Sequence, residues 1–167
     1  MKQNAKNGFL VVFVATFLVA WCAMPDEEIK SSEIISVSGY ENSLSEKPAV
    51  SVSFGESQTN YCRVTILKSN LNTGYSVYSL RQDKYQEISF DCNWDGVSYI
   101  QNANLDTYVA LEVLSVDPAN KKAEIVISAR LKEHKKLNEN PSGDSAELNK
   151  LKLVITGQHF DKLTKAM

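Results

Sequence analysis

The clearest feature of the sequence is an alternation of apolar and polar residues on both sides of one turn, between Thr107 and Leu131. Apolar residues recur at every second position there: Val109, Leu111, Val113, Ala123, Ile125, Ile127, Ala129 and Leu131. A period of two is typical of strands that bury one face. The stretch is therefore predicted to form a β-hairpin with one face in the core.

The turn of this hairpin is predicted from the segment Asp117–Asn120, which reads Asp-Pro-Ala-Asn. Asp favours the first position of a type I turn, Pro presets φ at the second, and Asn tolerates the left-handed conformation that closes a three-residue loop. Such a loop pairs Asp117 with Lys121. The register that follows places Val113 opposite Ile125, Leu111 opposite Ile127 and Val109 opposite Ala129.

Short strands with the same alternation are predicted through most of the remaining chain. They cover Val50–Phe54, Tyr61–Leu67, Tyr75–Leu80, Tyr85–Cys92, Val97–Gln101 and Leu151–Ile155, with a marginal strand at Ile34–Val37. Turn residues separate them at short intervals, a spacing that favours antiparallel all-β folds. The predicted fold class is mainly β, an antiparallel sandwich or open barrel of about eight strands that follows an N-terminal export segment.

The first 24 residues are predicted to be that export segment. Lys2 and Lys6 precede an uncharged apolar run from Phe9 to Ala23. About 15 apolar residues suit the central region of a signal peptide and are short for a membrane span. Residues 25–47 are then predicted to be a polar tether, and residues 48–167 a single β-rich domain.

Three fates of the leader stay open from the sequence: cleavage before Ala23, lipid attachment at Cys22, and retention as a membrane anchor. The run Val19–Cys22 resembles a bacterial lipobox, although Trp21 stands where that motif has Gly or Ala. All three fates export the domain, and a membrane is contacted only through the N-terminal segment, if that segment is uncleaved or lipidated.

Charge argues against a nucleic-acid partner. The chain carries 18 basic and 20 acidic residues, and two of the basic ones, Lys2 and Lys6, lie in the leader, so the remainder is acidic by four charges. Binding to phosphates needs clustered positive charge. The basic run Lys132–Lys136 is short and contains Glu133, so it is interpreted as a solvated segment.

Cys62 and Cys92 are predicted to form a disulfide. Each lies on the apolar phase of its own strand, so both side chains are expected in the core. An even pair of cysteines in an oxidising compartment usually forms a bridge, and the alternative is two buried thiols. Closing a loop of this length contributes on the order of 3 kcal/mol. No Cys-x-x-Cys spacing suggests a redox centre or a zinc site.

A calcium loop is the one metal-site pattern in the sequence. Asp91, Asn93 and Asp95 place side-chain oxygens at positions one, three and five, and Gly96 follows at six. The twelfth position is Asn102 in place of the bidentate Glu, and the flanking residues predict strands. A type I turn with Asn93 first and Gly96 last also explains the pattern, and no metal or cofactor is predicted.

The remaining candidates for chemistry have plainer interpretations. His134 and His159 show no ligand spacing and are expected to be exposed. Glu112 and Glu124 lie diagonally across the hairpin, where a solvated sheet face is the simpler interpretation of two carboxylates. Five tyrosines are expected to pack across strands, with an aromatic ligand platform as the alternative: Tyr75, Tyr78, Tyr85, Tyr99 and Tyr108.

The function expected from these patterns is that of an exported, non-catalytic β-domain of a bacterial envelope, with an unknown protein or envelope macromolecule as its partner. The alternative is an inhibitor or immunity protein that acts on a secreted hydrolase. The polar stretch Lys132–Lys150 is predicted to be a long loop and a candidate partner-binding element, with a mobile linker as the alternative.

Overall fold

The computed structural model describes residues 31–38, 43–80, 86–134 and 144–165. The strands are β1 (Ser31–Ser32), β2 (Ile34–Ser38), β3 (Ser43–Leu44), β4 (Lys47–Gly55), β5 (Tyr61–Leu67), β6 (Ser76–Ser79), β7 (Ile88–Trp94), β8 (Val97–Ile100), β9 (Tyr108–Asp117), β10 (Lys122–Glu133) and β11 (Ser145–Thr156). One helix, α1 (Gly157–Lys165), follows the last strand, and a short 3-10 turn covers Lys68–Asn70. The predicted export segment, including Cys22, lies outside the described residues.

The strands join into a nearly closed, mostly antiparallel barrel. Neighbours follow the order β1, β11, β10, β8, β7, β5, β4, β2. β1 pairs with β11 and β2 pairs with β4, so the single segment 31–38 joins the two ends of this order. That segment belongs to the predicted tether, and the sheet therefore begins before residue 48. The predicted fold class is confirmed.

Two strands extend the sheet beside β10. This long strand pairs with β9 over most of its length and with β8 only at Lys132 and Glu133. β6 pairs with β9 on the side away from β10. Gln101, which follows β8 and is buried, donates a hydrogen bond from Nε2 to the backbone oxygen of Ser79 at 2.6 Å. This bond links the end of β6 to the barrel.

The core is built from the apolar phases that the sequence predicts. Buried side chains alternate along each of the longer strands and form one cluster, which includes Val50, Val52, Phe54, Val64, Ile66, Ile88, Phe90, Leu111, Ile125, Ile127, Leu153 and Ile155. Full burial of an aliphatic or aromatic side chain of this size contributes about 1.5–3 kcal/mol. The alternation is therefore a large part of what stabilises the barrel.

The central hairpin has the predicted core register but a different turn. Val113 faces Ile125, as predicted, yet the last pair before the turn joins Asp117 to Lys122 and not to Lys121. Lys121, not Asn120, has the positive φ of 47°. A bulge at Leu114 absorbs the extra turn residue. The prediction of a three-residue loop is wrong, and the bulge restores the pairing of the apolar residues.

The predicted loop Lys132–Lys150 is wrong at both ends. β10 continues to Glu133 and β11 begins at Ser145, and these ends pair with each other through Lys132 and Ser145. Ala146, near the start of β11, is buried and packs into the core, although the residues around it are polar. Residues 135–143 lie outside the described part of the chain. Pairing with β10, not the local pattern, makes this polar stretch a strand.

The sequence analysis also missed helix α1, because its strand pattern ends at Gly157. Phe160 and Leu163, three residues apart on one face, are buried. The helix packs against β2, β10 and β11. Two apolar residues in nine are a weak helical pattern, and the helix is held by the core that it covers.

Candidate functional site

The two cysteines of the domain are joined directly across neighbouring strands. Cys62 of β5 pairs with Cys92 of β7, and their sulfur atoms are bonded. Both side chains are almost fully buried. The predicted disulfide is confirmed, and its burial makes it a covalent link inside the core rather than an exposed reactive group.

The residues of the predicted calcium pattern are divided between a strand and a turn. The prediction of a type I turn beginning at Asn93 is wrong, because Trp94 pairs with Val97 and the turn contains only Asp95 and Gly96. Both turn residues have positive φ, 51° and 77°, which is typical of a type I′ hairpin. The backbone N–H of Asp95 donates to the side-chain oxygen of Asn60 at 2.9 Å.

Asp91 has a cationic partner on the neighbouring strand. Arg63 donates three hydrogen bonds from its guanidinium to this carboxylate, each at 3.2 Å. Burial raises the pKa of Asp91 above its ordinary value, and the charge of Arg63 opposes this increase. Within the described ranges, no group of three or more His, Cys, Asp or Glu side chains is arranged to hold a metal ion.

The other ionisable candidates lie apart from one another. His134 is exposed, as predicted, whereas His159 on α1 is half-buried. Its Nδ1 atom is enclosed and has no hydrogen-bond partner among the described residues. Glu124 accepts hydrogen bonds from Lys122 and Lys152, and these bonds hold its pKa below the ordinary value. Glu124 is therefore a carboxylate engaged in ion pairs at neutral pH.

The predicted tyrosine set has several separate roles. Tyr75 donates a hydrogen bond to Glu87 at 2.9 Å, and burial together with this bond raises the pKa of Tyr75 to about 12. Tyr99 packs on Trp94, with 5.3 Å between ring centroids. Tyr85 lies outside the described residues. Cross-strand packing, the predicted role, is thus confirmed for Tyr99.

Tyr78 and Tyr108 form an exposed stack on the outer face of β6 and β9. Their ring centroids are 5.7 Å apart with an angle of 18° between the planes. Tyr78 is 63% exposed, the highest value among the large exposed hydrophobic residues of the described chain. The guanidinium of Arg130 lies 5.8 Å from the centroid of Tyr108. We call these three side chains the aromatic face.

Ion pairs fix the position of Arg130 in the aromatic face. Arg130 donates hydrogen bonds to Asp106 at 2.6 Å and to Glu147 at 2.8 Å. Both carboxylates raise the pKa of the guanidinium above its ordinary value. A cation held in this way on a tyrosine ring adds a cation–π interaction and limits the freedom of Tyr108. One end of the stack is therefore held in place by the ion pairs of Arg130.

A shallow groove of about 660 Å³ runs along the sheet beside Tyr78. Its outward-facing lining includes Ser76, Tyr78, Ala110, Glu112, Leu114 and Val126. Leu114 is 36% exposed. An open groove that combines apolar and polar groups beside an aromatic pair resembles the centre of a binding surface more than a solvated sheet face.

The sequence analysis did not identify this surface, although part of its signal is visible there. Ala110, Leu114 and Val126 are apolar residues on the outward-facing phase of the hairpin. Strands with one solvated face normally carry polar residues at such positions. The position of Tyr78 was not predictable, because it depends on β6 pairing with β9 and not with β7, the next strand along the chain.

Comparison of the chain with protein-family models, with curated proteins and with solved structures finds no match. None of the helices in the described ranges has the length and apolar character that a membrane span needs. Any function for this protein is therefore inferred from its own residues.

Proposed function

We propose that this protein is an exported, non-catalytic binding domain of a bacterial cell envelope, and that its partner binds on the aromatic face and the adjoining groove. The observation that carries the proposal is the exposed stack of Tyr78 on Tyr108 beside Arg130. Tyr and Arg are the residue types most enriched among those that dominate binding energy at protein interfaces. Apolar groups at solvent-facing strand positions are a mark of an interaction surface.

Export is supported by two independent features of the chain. The apolar run Phe9–Ala23 behind two lysines has the pattern of a secretory leader. The bridge between Cys62 and Cys92 is of a kind that persists mainly in oxidising compartments. A fusion of a reporter after Lys47 should be active only outside the cytoplasm. Activity restricted to the cytoplasm would contradict the proposed localisation.

A binding role without catalysis is supported by the state of the charged groups at the aromatic face. Asp106 and Glu147 both accept hydrogen bonds from Arg130. General acid–base catalysis needs a group that is placed to exchange a proton with a substrate. Carboxylates held in ion pairs with an arginine serve better to position that arginine.

The test is capture of envelope components by the wild-type protein and by two tyrosine variants. Tyr78→Ser removes the exposed ring, and we expect at least a 10-fold loss of affinity for the captured partner, typical of a central interface residue. The control is Tyr61→Ser, the same change on the outer face of β5. Equal binding by wild type and Tyr78→Ser would contradict the proposal.

The same experiment separates the alternative, an inhibitor or immunity protein. Capture of a single secreted hydrolase, whose activity falls when the protein is added, would favour inhibition. In that case the segment 134–144 between β10 and β11 is the element to replace with a short Gly-Ser turn. Suppose that this variant no longer inhibits the hydrolase while Tyr78→Ser still binds it as wild type does. The functional surface would then be the segment 134–144 and not the aromatic face.

A further inference from the structure

β6 is an edge strand within the described ranges 31–38, 43–80, 86–134 and 144–165, where it pairs only with β9. Just before β6, the backbone N–H of Val113 donates to the oxygen of Tyr75 at 2.8 Å. Hydrogen-bonded and non-bonded pairs alternate along an antiparallel ladder. Since Tyr75 is bonded to β9, the backbone groups of Ser76 and Tyr78 point away from it, toward the side on which the described ranges hold no paired strand.

The only usual protection that β6 itself shows against another strand is its short length of four residues. Edges are also commonly blunted by charged residues or by Pro. The strand reads Ser-Val-Tyr-Ser and is followed by Leu80, with no charge and no Pro. Its outward-facing side chains include Tyr78, and Leu80 is 41% exposed. The strand therefore offers both backbone groups and apolar side chains to an added strand.

We propose that the strand added at this edge is β6 of a second copy of the chain, antiparallel and with Tyr78 opposite its own counterpart. A two-fold interface has to be self-complementary, so that each residue meets its partner in both directions. In this register, Ser76 faces Leu80 of the second copy and Leu80 faces Ser76. The residues whose backbone groups point outward then face one another, and each N–H meets a C=O.

Charge and side-chain geometry both favour a second copy as the occupant. The edge from Ser76 to Leu80 is uncharged, so two copies of an acidic protein meet here without like charges in contact. Residues directly opposite in a sheet point to the same face. Tyr78 of the second copy then lies beside Tyr78 and continues the stack that begins at Tyr108. The two grooves become neighbours on one continuous sheet.

The expected dimer is weak, because five residues of edge pairing bury less surface than the roughly 1,200 Å² of a stable interface. We expect dissociation in about the micromolar to millimolar range and no dimer in dilute solution. The proposal does not depend on the proposed partner-binding function. Ser76→Pro removes one outward N–H but leaves the aromatic face in place, so it weakens dimerisation without removing the tyrosines that a partner would contact.

The first test is cross-linking of the full chain with Cys22→Ser and Tyr78→Cys. Opposite residues in a hydrogen-bonded antiparallel pair have Cα atoms about 5.5 Å apart, within disulfide range. Mild oxidation should therefore give a covalent dimer. The control is Ser76→Cys, whose counterpart would lie four residues further along the strand, roughly 14 Å away. Absence of a dimer with Tyr78→Cys, or equal cross-linking of both variants, would overturn the register.

The second test uses charge at the self-opposed position. Tyr78→Lys and Tyr78→Glu should each be monomeric at protein concentrations where sedimentation detects the wild-type dimer, because like charges then lie directly opposite one another. An equimolar mixture of the two variants should regain the dimer. Failure of the mixture to associate, or a wild-type protein that stays monomeric up to about 1 mM, would overturn the proposal, since an interface this small is expected to bind within that range.

Discussion

The ammonium group of Lys121 lies 3.1 Å from the carboxylate of Asp161 and so joins the hairpin turn to helix α1. Both side chains are well exposed, at 59% and 44%, and exposed ion pairs contribute about 0.2–1 kcal/mol. Lys121 also has a φ of 47°, in the left-handed region that disfavours a side chain by roughly 1–2 kcal/mol. Backbone strain is therefore expected to outweigh the ion pair at this position.

Lys121→Gly should accordingly raise the free energy of unfolding by about 0.5 kcal/mol, because Gly adopts positive φ without a steric cost. Ala119→Gly in the same turn is the matched control. Ala119 has no positive φ, so the added chain entropy of Gly should lower stability by about 0.5–1 kcal/mol. Urea unfolding followed by circular dichroism measures both. A Lys121→Gly variant less stable than wild type would contradict the expectation.

Reduction of the bridge between Cys62 and Cys92 should lower the free energy of unfolding by about 3 kcal/mol. The bridge joins residues 30 positions apart, and its loss frees that loop in the unfolded chain. Unfolding in urea with and without a reductant measures the difference. In the double variant Cys62→Ala with Cys92→Ala, the free energy of unfolding in urea should be the same with and without the reductant. Equal stability of oxidised and reduced wild type would show that the bridge contributes nothing.

Neighbouring residues on β10 should respond very differently to truncation. Ile127 is fully buried, so Ile127→Ala is expected to cost about 2–5 kcal/mol through lost burial and a cavity. Val126 faces the groove on the opposite side of the sheet, and Val126→Ala should cost less than about 1 kcal/mol. Thermal or urea unfolding of the two variants tests the predicted faces. Similar losses would mean that the outer face is packed as tightly as the core.

Stability should fall at alkaline pH through Tyr75. Its pKa is raised to about 12 in the folded protein from an ordinary value of about 10. Between these values the folded chain holds a proton that the unfolded chain has released, so stability decreases as pH rises from 10 to 12. Tyr75→Phe cannot ionise and should show a smaller decrease over this window. Rapid urea unfolding at a series of pH values measures the free energy of unfolding of wild type and Tyr75→Phe. An equal decrease in the two proteins between pH 10 and 12 would contradict the assignment.

The alternation of the sequence determined which side of each strand faces the core. A strand of period two has only two choices of face, and burial of its apolar phase selects one of them. For the same reason Val113 faces Ile125 despite the wrongly predicted turn, since a one-residue shift would have exposed the whole apolar set of β9. Cys62 and Cys92 follow the same phase. The sequence thus predicted their bridge before their strands were known to be neighbours.

Only part of the candidate site was predictable in this way. Ala110, Leu114 and Val126 are apolar residues on the outward-facing phase of the hairpin, and they are visible in the sequence itself. The stack of Tyr78 on Tyr108 requires two strands that are separated by β7 and β8 along the chain. Local pattern carries no information about such a pairing, because β6 could satisfy its backbone beside several different strands.

The tertiary structure decided how the barrel closes and which polar stretches join it. The segment 31–38 pairs with both β4 and β11. The polar residues Ser145–Lys150 form a strand because β10 supplies hydrogen-bond partners to their backbone. Helix α1 is fixed by the core beneath Phe160 and Leu163. The sequence determined which face of each strand is buried, because that face follows from the alternation of apolar and polar residues. Strand neighbours depend on backbone groups that every residue shares, and only the assembled sheet assigns them.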